Sequence, residues 1–340
     1  MELHLPELFQ EIKKIGTVKT VVLQIPEGLK QQTTEIAEAF QKEGLESITV
    51  MDPCYGACDL ADDKAKLFGA DLLVHFGHAK MLFSGQKVIY WPIEYEITRE
   101  MLDNFQKKMN AFLSKKENSG IKKIGIYATI QFSNTLKLVQ TELHKIGVEG
   151  IIGMGDLKDG QVLGCDVSAK KELEDKVDLN IYFGDGLFHA LAIAFASKKP
   201  TYLFDPFTFE LKGLEKEKEL FLRQRSALIA RAMDAKTFGI IVCSKKGQFR
   251  KASALKLKKL IESKGKKATL LLMDYVRPDY LIGVQADAFV NTACSRIATD
   301  DWKSYPKPML TPIEVEIIMG EKTWEQYAFD EIKHYAGKVE

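Results

Sequence analysis

The chain has 340 residues, of which 46% are hydrophobic and 28% are charged, an ordinary composition for a folded globular protein. Its 48 basic residues balance 47 acidic ones, so the net charge of +1 provides no strong field for nucleic acid or an anionic membrane. No apolar run approaches the roughly 20 residues that span a bilayer, and the N-terminus lacks the pattern of a signal peptide. We therefore expect a cytoplasmic protein of two or three domains, with no membrane partner and no direct nucleic-acid partner.

The predicted elements repeat one plan three times along the chain. The first copy has a strand at 20–25, a helix at 30–42 and strands at 47–51, 71–76 and 87–91. The second has a strand at 123–128, a helix at 134–145 and strands at 150–154, 178–183 and 200–204. The third has a strand at 238–243, a helix at 249–263 and strands at 268–273, 287–291 and 308–310.

Matching residues recur in the three copies. The third strand of each begins with an aspartate, and each helix ends near a glycine that fits the left-handed cap position: Gly44, Gly147 and Gly265. Strand–helix–strand alternation of this length is typical of parallel βαβ units with right-handed crossovers. The sequence therefore predicts an α/β fold of three similar domains, each a short, mostly parallel sheet flanked by helices.

We place the three domains at 1–118, 119–215 and 216–340, with boundaries near 118–120 and in the charged stretch at 210–219. The segment at 97–116 is predicted to be a helix that either links the first two units or packs on the surface of the first. The chain after Pro312 is predicted to be mostly helical.

Five cysteines need an explanation other than disulfides, because thiols stay reduced in the cytosol: Cys54, Cys58, Cys165, Cys243 and Cys294. Cys58, Cys165 and Cys294 each follow a strand and an Ala or Gly residue. One such cysteine alone is more often a buried thiol, but three at equivalent strand ends favour a common centre, because parallel sheets bind ligands there. Three thiolates without a CxxC pair suit a cubane iron–sulfur cluster with one open iron. Cys54 remains a competing ligand, and Cys243 is more typical of a core position.

Other polar or small residues follow strands in the same way. Glu27 and Gly28 follow the first strand, where Glu27 either binds an amine or caps the helix. Gly77 and His78 follow the third strand of the first copy. In the second copy the equivalent positions are Gly184, Asp185 and Gly186, with His189 one turn later. A histidine in such a place usually has a structural role. His78 and His189 are candidates for a functional role only because of their positions after strands.

Two further observations concern arginines and absent motifs. Arg296 follows Cys294 and joins the candidate binding residues, whereas Arg223, Arg225 and Arg231 are expected in surface salt bridges by default. The motifs GxGxxG, GxxxxGK[ST], GxSxG and HExxH are absent. Dehydrogenase, P-loop, serine-hydrolase and zincin interpretations therefore lose support.

Six short segments together resemble the archaeal diphthamide-synthesis enzymes, the 2-(3-amino-3-carboxypropyl)histidine synthase family. They are Pro26-Glu27-Gly28-Leu29, Tyr55-Gly56-Ala57-Cys58-Asp59, His75-Phe76-Gly77-His78, Leu163-Gly164-Cys165, Asp185-Gly186-Leu187-Phe188-His189 and Asn291-Thr292-Ala293-Cys294. The resemblance covers essentially the whole chain. It implies three domains in a pseudo-threefold arrangement around a 4Fe-4S cluster, with Cys58, Cys165 and Cys294 as ligands. One departure is Ser295, where the family usually has a proline that stiffens the loop.

The resemblance also implies a reaction. S-adenosylmethionine binds at the fourth iron, and one electron cleaves the bond between its sulfur and γ-carbon. The resulting 3-amino-3-carboxypropyl radical adds to C2 of a histidine in translation elongation factor 2, the first step of diphthamide formation. Methylthioadenosine is the other product.

Archaeal members of the family act as homodimers and need an electron donor, whose identity the sequence does not give. As binding residues for the co-substrate we select the polar and small residues at strand ends: Glu27, Gly28, Gly77, His78, Gly184, Asp185, Gly186 and Arg296. Two rival functions remain open. One is an iron–sulfur dehydratase like quinolinate synthase, and the other is a non-catalytic iron–sulfur sensor.

Overall fold

The structure, a computed structural model, describes residues 3–82 and 84–332. The chain first forms α1 (Leu5–Lys14), β1 (Thr20–Gln24), α2 (Thr33–Lys42), β2 (Glu46–Val50), α3 (Asp62–Phe68), β3 (Leu72–Phe76), β4 (Val88–Trp91) and α4 (Arg99–Leu113). It continues through β5 (Lys123–Tyr127), α5 (Leu136–Lys145), β6 (Glu149–Ile152), α6 (Ser168–Leu173), β7 (Leu179–Phe183), α7 (Leu187–Ala196), β8 (Thr201–Asp205) and β9 (Glu210–Gly213). The last elements are α8 (Glu215–Ala232), β10 (Thr237–Cys243), α9 (Lys251–Ser263), β11 (Lys267–Met273), α10 (Pro278–Leu281), β12 (Ala288–Asn291), α11 (Ser295–Thr299), β13 (Met309–Leu310) and α12 (Pro312–Ile318).

The strands form three sheets with one shared topology. Their orders are β2-β1-β3-β4, β6-β5-β7-β8-β9 and β11-β10-β12-β13, so the first strand of each copy lies between its second and third. All neighbours pair in parallel except β8 and β9. The predicted fold class, three mostly parallel sheets flanked by helices, is therefore confirmed. Each sheet packs against its own cluster of buried apolar side chains.

Two segments differ in detail from the prediction. The charged stretch at 210–219 contains the antiparallel strand β9 and the start of α8, because half-buried Leu211 packs on the core of the second sheet. The predicted helix at 97–116 is α4, and its buried Phe105 and Met109 join that same core. α4 thus packs on the second unit. The sequence had left two possibilities open, a helix that links the first two units or one that packs on the surface of the first.

One aspartate at the amino edge of each sheet makes the same pair of hydrogen bonds. Asp71 Oδ2 accepts from the backbone N–H groups of residues 19 and 20, at 2.8 and 3.0 Å. Asp178 Oδ2 accepts from those of residues 122 and 123, and Asp287 Oδ2 from those of residues 236 and 237. In each case these backbone donors lower the pKa of the carboxyl.

The predicted glycine caps are confirmed. Gly44, Gly147 and Gly265 have φ angles of +76°, +79° and +72°, which place them in the left-handed region. Each follows the long helix of its copy, so a residue with a Cβ would be strained at all three positions.

The C-terminal segment is helical only in part, so the prediction of a mostly helical segment is wrong for the described residues. A 3₁₀ turn at Trp324–Gln326 follows α12, and residues 327–332 contain no helix. Their polar groups are used in tertiary contacts: Asp330 pairs with Arg250, and the N–H of Ile332 donates to the carbonyl of Cys165 at 2.9 Å. The predicted segment also included 333–340, which lie outside the described residues. Within the described ranges, no helix has the length and apolar content needed to cross a membrane.

Arg225 corrects another prediction, since it does not lie on the surface. Its side chain is fully buried and forms a bidentate pair with Glu314, at 2.6 and 2.5 Å. Its remaining N–H groups donate to the carbonyls of Ala298 and Met309 at 2.5 and 2.9 Å. A buried charge is tolerated only when it is paired and hydrogen-bonded in this way.

Candidate metal centre and substrate cavity

The structure separates the five cysteines into two groups. Cys58, Cys165 and Cys294 are half-buried, whereas Cys54 and Cys243 are buried. Cys58 and Cys165 pack in the same apolar cluster. Burial and, to a smaller extent, the nearby thiol of Cys294 raise the pKa of Cys58 to about 12. Cys58 thus lies near Cys294 and packs on the same apolar cluster as Cys165.

The loop that carries Cys58 is held by the third unit. The N–H of Gly247 donates to the carbonyl of Cys58 at 3.1 Å, and the amide of Gln248 donates to Cys58 Sγ at 3.3 Å. A Cβ at Gly247 would lie only 2.5 Å from Cys58 Cα, so this approach needs glycine. An ion pair between Lys245 and Asp59 closes the same junction.

The loops that carry Cys165 and Cys294 are joined by the C-terminal segment. Arg250 donates to the carbonyls of Thr292 and Ala293, just before Cys294, at 2.7 and 2.9 Å. Arg250 also donates two hydrogen bonds to Asp330, at 2.8 and 2.7 Å. Two residues later, Ile332 bonds the Cys165 carbonyl. A continuous set of contacts therefore connects these two cysteine loops.

The donor set fits an iron–sulfur cluster. Three candidate sulfur ligands, on loops that follow strands of three separate sheets, are of the soft thiolate type that such clusters use. The Gln248 amide at Cys58 Sγ is the kind of hydrogen bond to sulfur that tunes a bound cluster.

Cys54 has different neighbours. One ligand atom each from Cys54, His75 and His78 lie within 4.8 Å of one another. Burial raises the pKa of the Cys54 thiol to about 12, and its backbone N–H donates to Glu27 at 3.3 Å.

A cavity of about 820 Å³ lies where the three units meet. Most predicted binding residues line it, and they come from all three units: Gly28, Gly77, His78, Asp185, Gly186 and Arg296. Glu27 and Gly184 do not line it. The Glu27 carboxylate instead pairs with Lys30 at 2.6 Å. His189 also lines the cavity, together with Gln131 and Thr299.

Gly77 needs glycine for two reasons. Its φ is +81°, and a Cβ would lie 2.9 Å from Pro26 Cγ. Its carbonyl accepts from Gln131 Nε2 at 3.2 Å, which joins the first and second units beside His78.

Sequence reasoning missed several residues that shape the site. Gln24 and His75 form a buried hydrogen-bond chain to His78, and Gln248, Arg250 and Asp330 hold the cysteine loops. The only sequence signals were a glutamine at the end of an apolar strand and the spacing of His75 and His78.

Comparisons with known proteins agree with this geometry. The family model of diphthamide synthesis proteins matches residues 25–328. The chain is 38% identical to the 2-(3-amino-3-carboxypropyl)histidine synthase of Pyrococcus horikoshii, covering 97% of this chain and 94% of that protein. It is 29% identical to the Methanocaldococcus jannaschii enzyme of that name, covering 92% and 87%. Subunit 1 of the human synthase is also 29% identical, with coverage of 98% and 75%.

A solved structure is similar over nearly the same length. The crystal structure of Dph2 from Pyrococcus horikoshii with a 4Fe-4S cluster superimposes with a TM-score of 0.88 at 36% identity, covering 98% of this chain and 94% of that one.

The fold and the site define an α/β enzyme of three like units whose cysteine loops and cavity lie at the carboxyl ends of its strands. The chain belongs to the diphthamide synthesis protein family, and the resemblance seen in the sequence is confirmed. It is accordingly an enzyme with the transferase activity for which these relatives are named.

Proposed function

We propose that the chain transfers the 3-amino-3-carboxypropyl group of S-adenosylmethionine to C2 of a histidine in translation elongation factor 2, by a radical mechanism. This is the first step of diphthamide biosynthesis. The observation that carries the proposal is a cavity with walls from all three units. Among its lining residues, His189 accepts a hydrogen bond from Gly164, next to Cys165, and Arg296 lies two residues after Cys294. The names of the archaeal relatives support it.

Cys58, Cys165 and Cys294 would hold a 4Fe-4S cluster, the group present in the crystal structure of the Pyrococcus horikoshii protein. When bound, such a cluster supplies the electron that breaks the sulfur–γ-carbon bond, together with an open iron for the co-substrate. The protein carries the three thiols on separate loops. Contacts from the third unit hold the loops of Cys58 and Cys165, and Arg250 of the same unit holds the loop of Cys294.

The cavity residues bind and orient the co-substrate. Gly28, Gly77 and Gly186 leave room for close approach of the backbone, and Arg296 offers a positive charge to a carboxylate. The volume of about 820 Å³ accommodates a molecule of that size. Walls from three units shield a reactive intermediate from water.

The remaining partners follow from the same proposal. A loop of elongation factor 2 enters the cavity from outside, two copies of the chain assemble as a homodimer, and an electron donor of unknown identity serves each copy. We place the protein in the cytoplasm, where its thiols stay reduced.

Product analysis and ligand variants test the proposal. Purified without oxygen, reconstituted with iron and sulfide and reduced with dithionite, the protein should convert S-adenosylmethionine to methylthioadenosine. Cys58→Ala, Cys165→Ala and Cys294→Ala should each lose the visible absorption of the cluster and most of the bound iron. Cys243→Ala is the matched control, because this buried thiol bonds the carbonyl of Asp274 and should leave the iron content unchanged.

Two results would contradict the proposal. The first is formation of 5′-deoxyadenosine, or no cleavage, by protein that carries its full iron content. The second is loss of the cluster in Cys54→Ala but not in Cys58→Ala, which would move the ligand assignment to Cys54.

A further inference from the structure

The side-chain amide of Gln24 has a fixed orientation. Its Nε2 donates to the carbonyl of Asp59 at 2.5 Å, and its Oε1 accepts from the N–H of Ala61 at 2.9 Å. Since a carbonyl only accepts and a backbone N–H only donates, the amide cannot be reversed. The same Oε1 lies 2.7 Å from His75 Nδ1, so His75 must carry its proton on Nδ1.

This assignment determines the tautomer of His78. His75 Nε2 and His78 Nδ1 are 2.9 Å apart. Burial lowers the pKa of His75 to about 3 and that of His78 to about 4, so both rings are neutral and each has one N–H. His75 has no proton left for Nε2, and His78 Nδ1 must therefore be the donor. Nε2 of His78, a ring that lines the cavity, is left as a bare acceptor.

His189 is held in the opposite tautomer. The backbone N–H of Gly164 donates to His189 Nδ1 at 2.9 Å, so this nitrogen is unprotonated. Burial and, to a smaller extent, the charge of Arg296 lower the pKa of His189 to about 4. The neutral ring then carries its proton on Nε2. His189 and Arg296 line the same cavity as His78.

We propose that this pair of histidines binds the α-amino-acid end of the co-substrate, His78 Nε2 accepting from the α-ammonium group and His189 Nε2–H donating, with Arg296, to the α-carboxylate. The inference rests on the proposed function and assigns the two ends of the amino acid within it. A zwitterion needs one acceptor and one donor site, and the cavity holds one ring of each kind. Arg296 lies beside His189, which places the anion at that end.

Each tautomer is set from a loop that carries a predicted cluster ligand. Asp59 and Ala61 orient Gln24 and follow Cys58 in sequence, whereas Gly164, which bonds His189, precedes Cys165. A change in the Cys165 loop therefore reaches His189 through one hydrogen bond, and a change in the Cys58 loop reaches His78 through three. His78 and His189 act as positioning residues for the substrate.

Nitrogen NMR of the full chain with isotope-labelled histidine tests the tautomers directly. The chain has six histidines, and loss of a signal in His78→Gln or His189→Gln assigns the two rings. We expect a protonated Nδ1 and a bare Nε2 in His78, with the reverse in His189. A proton on Nε2 of His78, directed to the nearby carbonyl of Phe76, would overturn the proposal. So would stoichiometric Zn²⁺ binding that shifts both His75 and His78 and is lost in Cys54→Ala, since it would make these residues a metal site.

Binding of S-adenosylmethionine to the cluster-loaded enzyme tests the ligand assignment. His78→Leu should weaken binding about tenfold but leave unchanged the affinity for an analogue without the α-ammonium group. His189→Leu should also weaken binding of S-adenosylmethionine about tenfold, but it should leave unchanged the affinity for the analogue without the α-carboxylate. His78→Gln should recover part of the loss, because its amide oxygen also accepts.

His144→Gln, an exposed change on α5, is the matched control and should bind normally. Equal losses for every ligand in both leucine variants, with iron content retained, would overturn the assignment. The outcomes separate the two proposals. If the loaded wild-type enzyme binds no S-adenosylmethionine, the proposed function fails even where the NMR shows the expected tautomers.

Discussion

The two edges of the three sheets show how this molecule divides its tasks. At the amino edge, Asp71, Asp178 and Asp287 do the same thing three times, each accepting two backbone N–H groups. At the carboxyl edge the units contribute different side chains to the cavity, or the same kind of side chain from different positions. The first unit supplies His78, the second His189 and the third Arg296. The repeated edge serves the fold, whereas the varied edge serves recognition.

The edges also differ in how far their contacts reach. The aspartates are exposed and bond only within their own unit. The carboxyl edge is joined across units, by Gly247 on Cys58 and by Ile332 on Cys165. A substitution at the carboxyl edge should therefore disturb contacts between units and affect the cysteine loops, whereas a substitution at the amino edge should have only local effects.

The largest effect is expected at the junction of the first and third units. In Gly247→Ala the new Cβ would lie 2.5 Å from Cys58 Cα and 2.7 Å from its carbonyl oxygen. Backbone atoms cannot move aside as a flexible side chain can, so the loops must separate. We expect the free energy of unfolding to fall by about 1–3 kcal/mol and the iron content to drop with it. Chemical denaturation and iron analysis measure the two effects.

Gly283→Ala is the matched control for this junction. Gly283 has no atom within 4 Å of an added Cβ among the described residues, and its φ is not in the left-handed region. Its stability and iron content should stay at wild-type values. If Gly247→Ala has the free energy of unfolding and the iron content of the wild type, the carboxyl edge is not coupled across units.

The contrast between the edges also explains what the sequence predicts well. Local features were recoverable: the three mostly parallel sheets follow from three similar βαβ patterns, and the left-handed caps Gly44, Gly147 and Gly265 follow from helix ends. Contacts between units were not recoverable. Gln248 and Cys58 are 190 residues apart, and nothing in the spacing of either residue indicates the other.

Buried polar pairs were missed for the same reason. Arg225 and Glu314, 89 residues apart, look like any exposed charges in a helix-forming sequence, and only the tertiary structure shows their burial. The three candidate cysteines, Cys58, Cys165 and Cys294, could be selected from the five because each follows a strand and a small residue in a different copy of the repeat. Gln24 and His75 were missed because their function depends on a hydrogen-bond chain, and such a chain has no sequence period.

A smaller effect is expected at the amino edge. Asp178→Asn removes the negative charge from an acceptor of two backbone N–H groups and should lower the free energy of unfolding by about 1 kcal/mol at neutral pH. The hydrogen bonds hold the pKa of Asp178 below its ordinary value of 3.8. A lowered pKa gives stability that is present above the ordinary value and is lost as the pH falls through the lowered one. The difference between variant and wild type should therefore vanish in acid.

Denaturation across a pH series measures this difference, with iron content as the second readout, which should not change. Asp159→Asn is the control, since this exposed carboxylate has no hydrogen bond or ion pair to the part of the chain that the structure describes. A loss of iron in Asp178→Asn would contradict the local character of the amino edge. A stability difference that persists in acid would show that the charge is not its cause.

The smallest effect, a gain, is expected at Ser295. Cys294 is the N-cap of α11, so Ser295 is the first helical residue, where the backbone N–H has no partner within the helix. Proline suits that position, because its φ is already helical and its missing N–H costs nothing. Ser295 is fully buried, and its Oγ has no hydrogen-bond partner within the described residues. Ser295→Pro should therefore raise the free energy of unfolding by about 0.5–1 kcal/mol, measured by chemical denaturation, with no change in iron content.

Ser295→Ala separates the two sources of that gain, because it removes the unpaired hydroxyl without restraining the backbone. If the alanine variant gains as much as the proline variant, the buried hydroxyl is the whole cause. If only the proline variant has a higher free energy of unfolding, the cause is the restraint that proline places on a backbone that is flexible in the unfolded chain. A proline variant that is more stable but binds less iron would show that the loop must move for Cys294 to bind its metal. In that case Ser295 would contribute directly to the carboxyl edge. It would leave the Cys294 loop free to move for metal binding, although it lowers the stability of the fold.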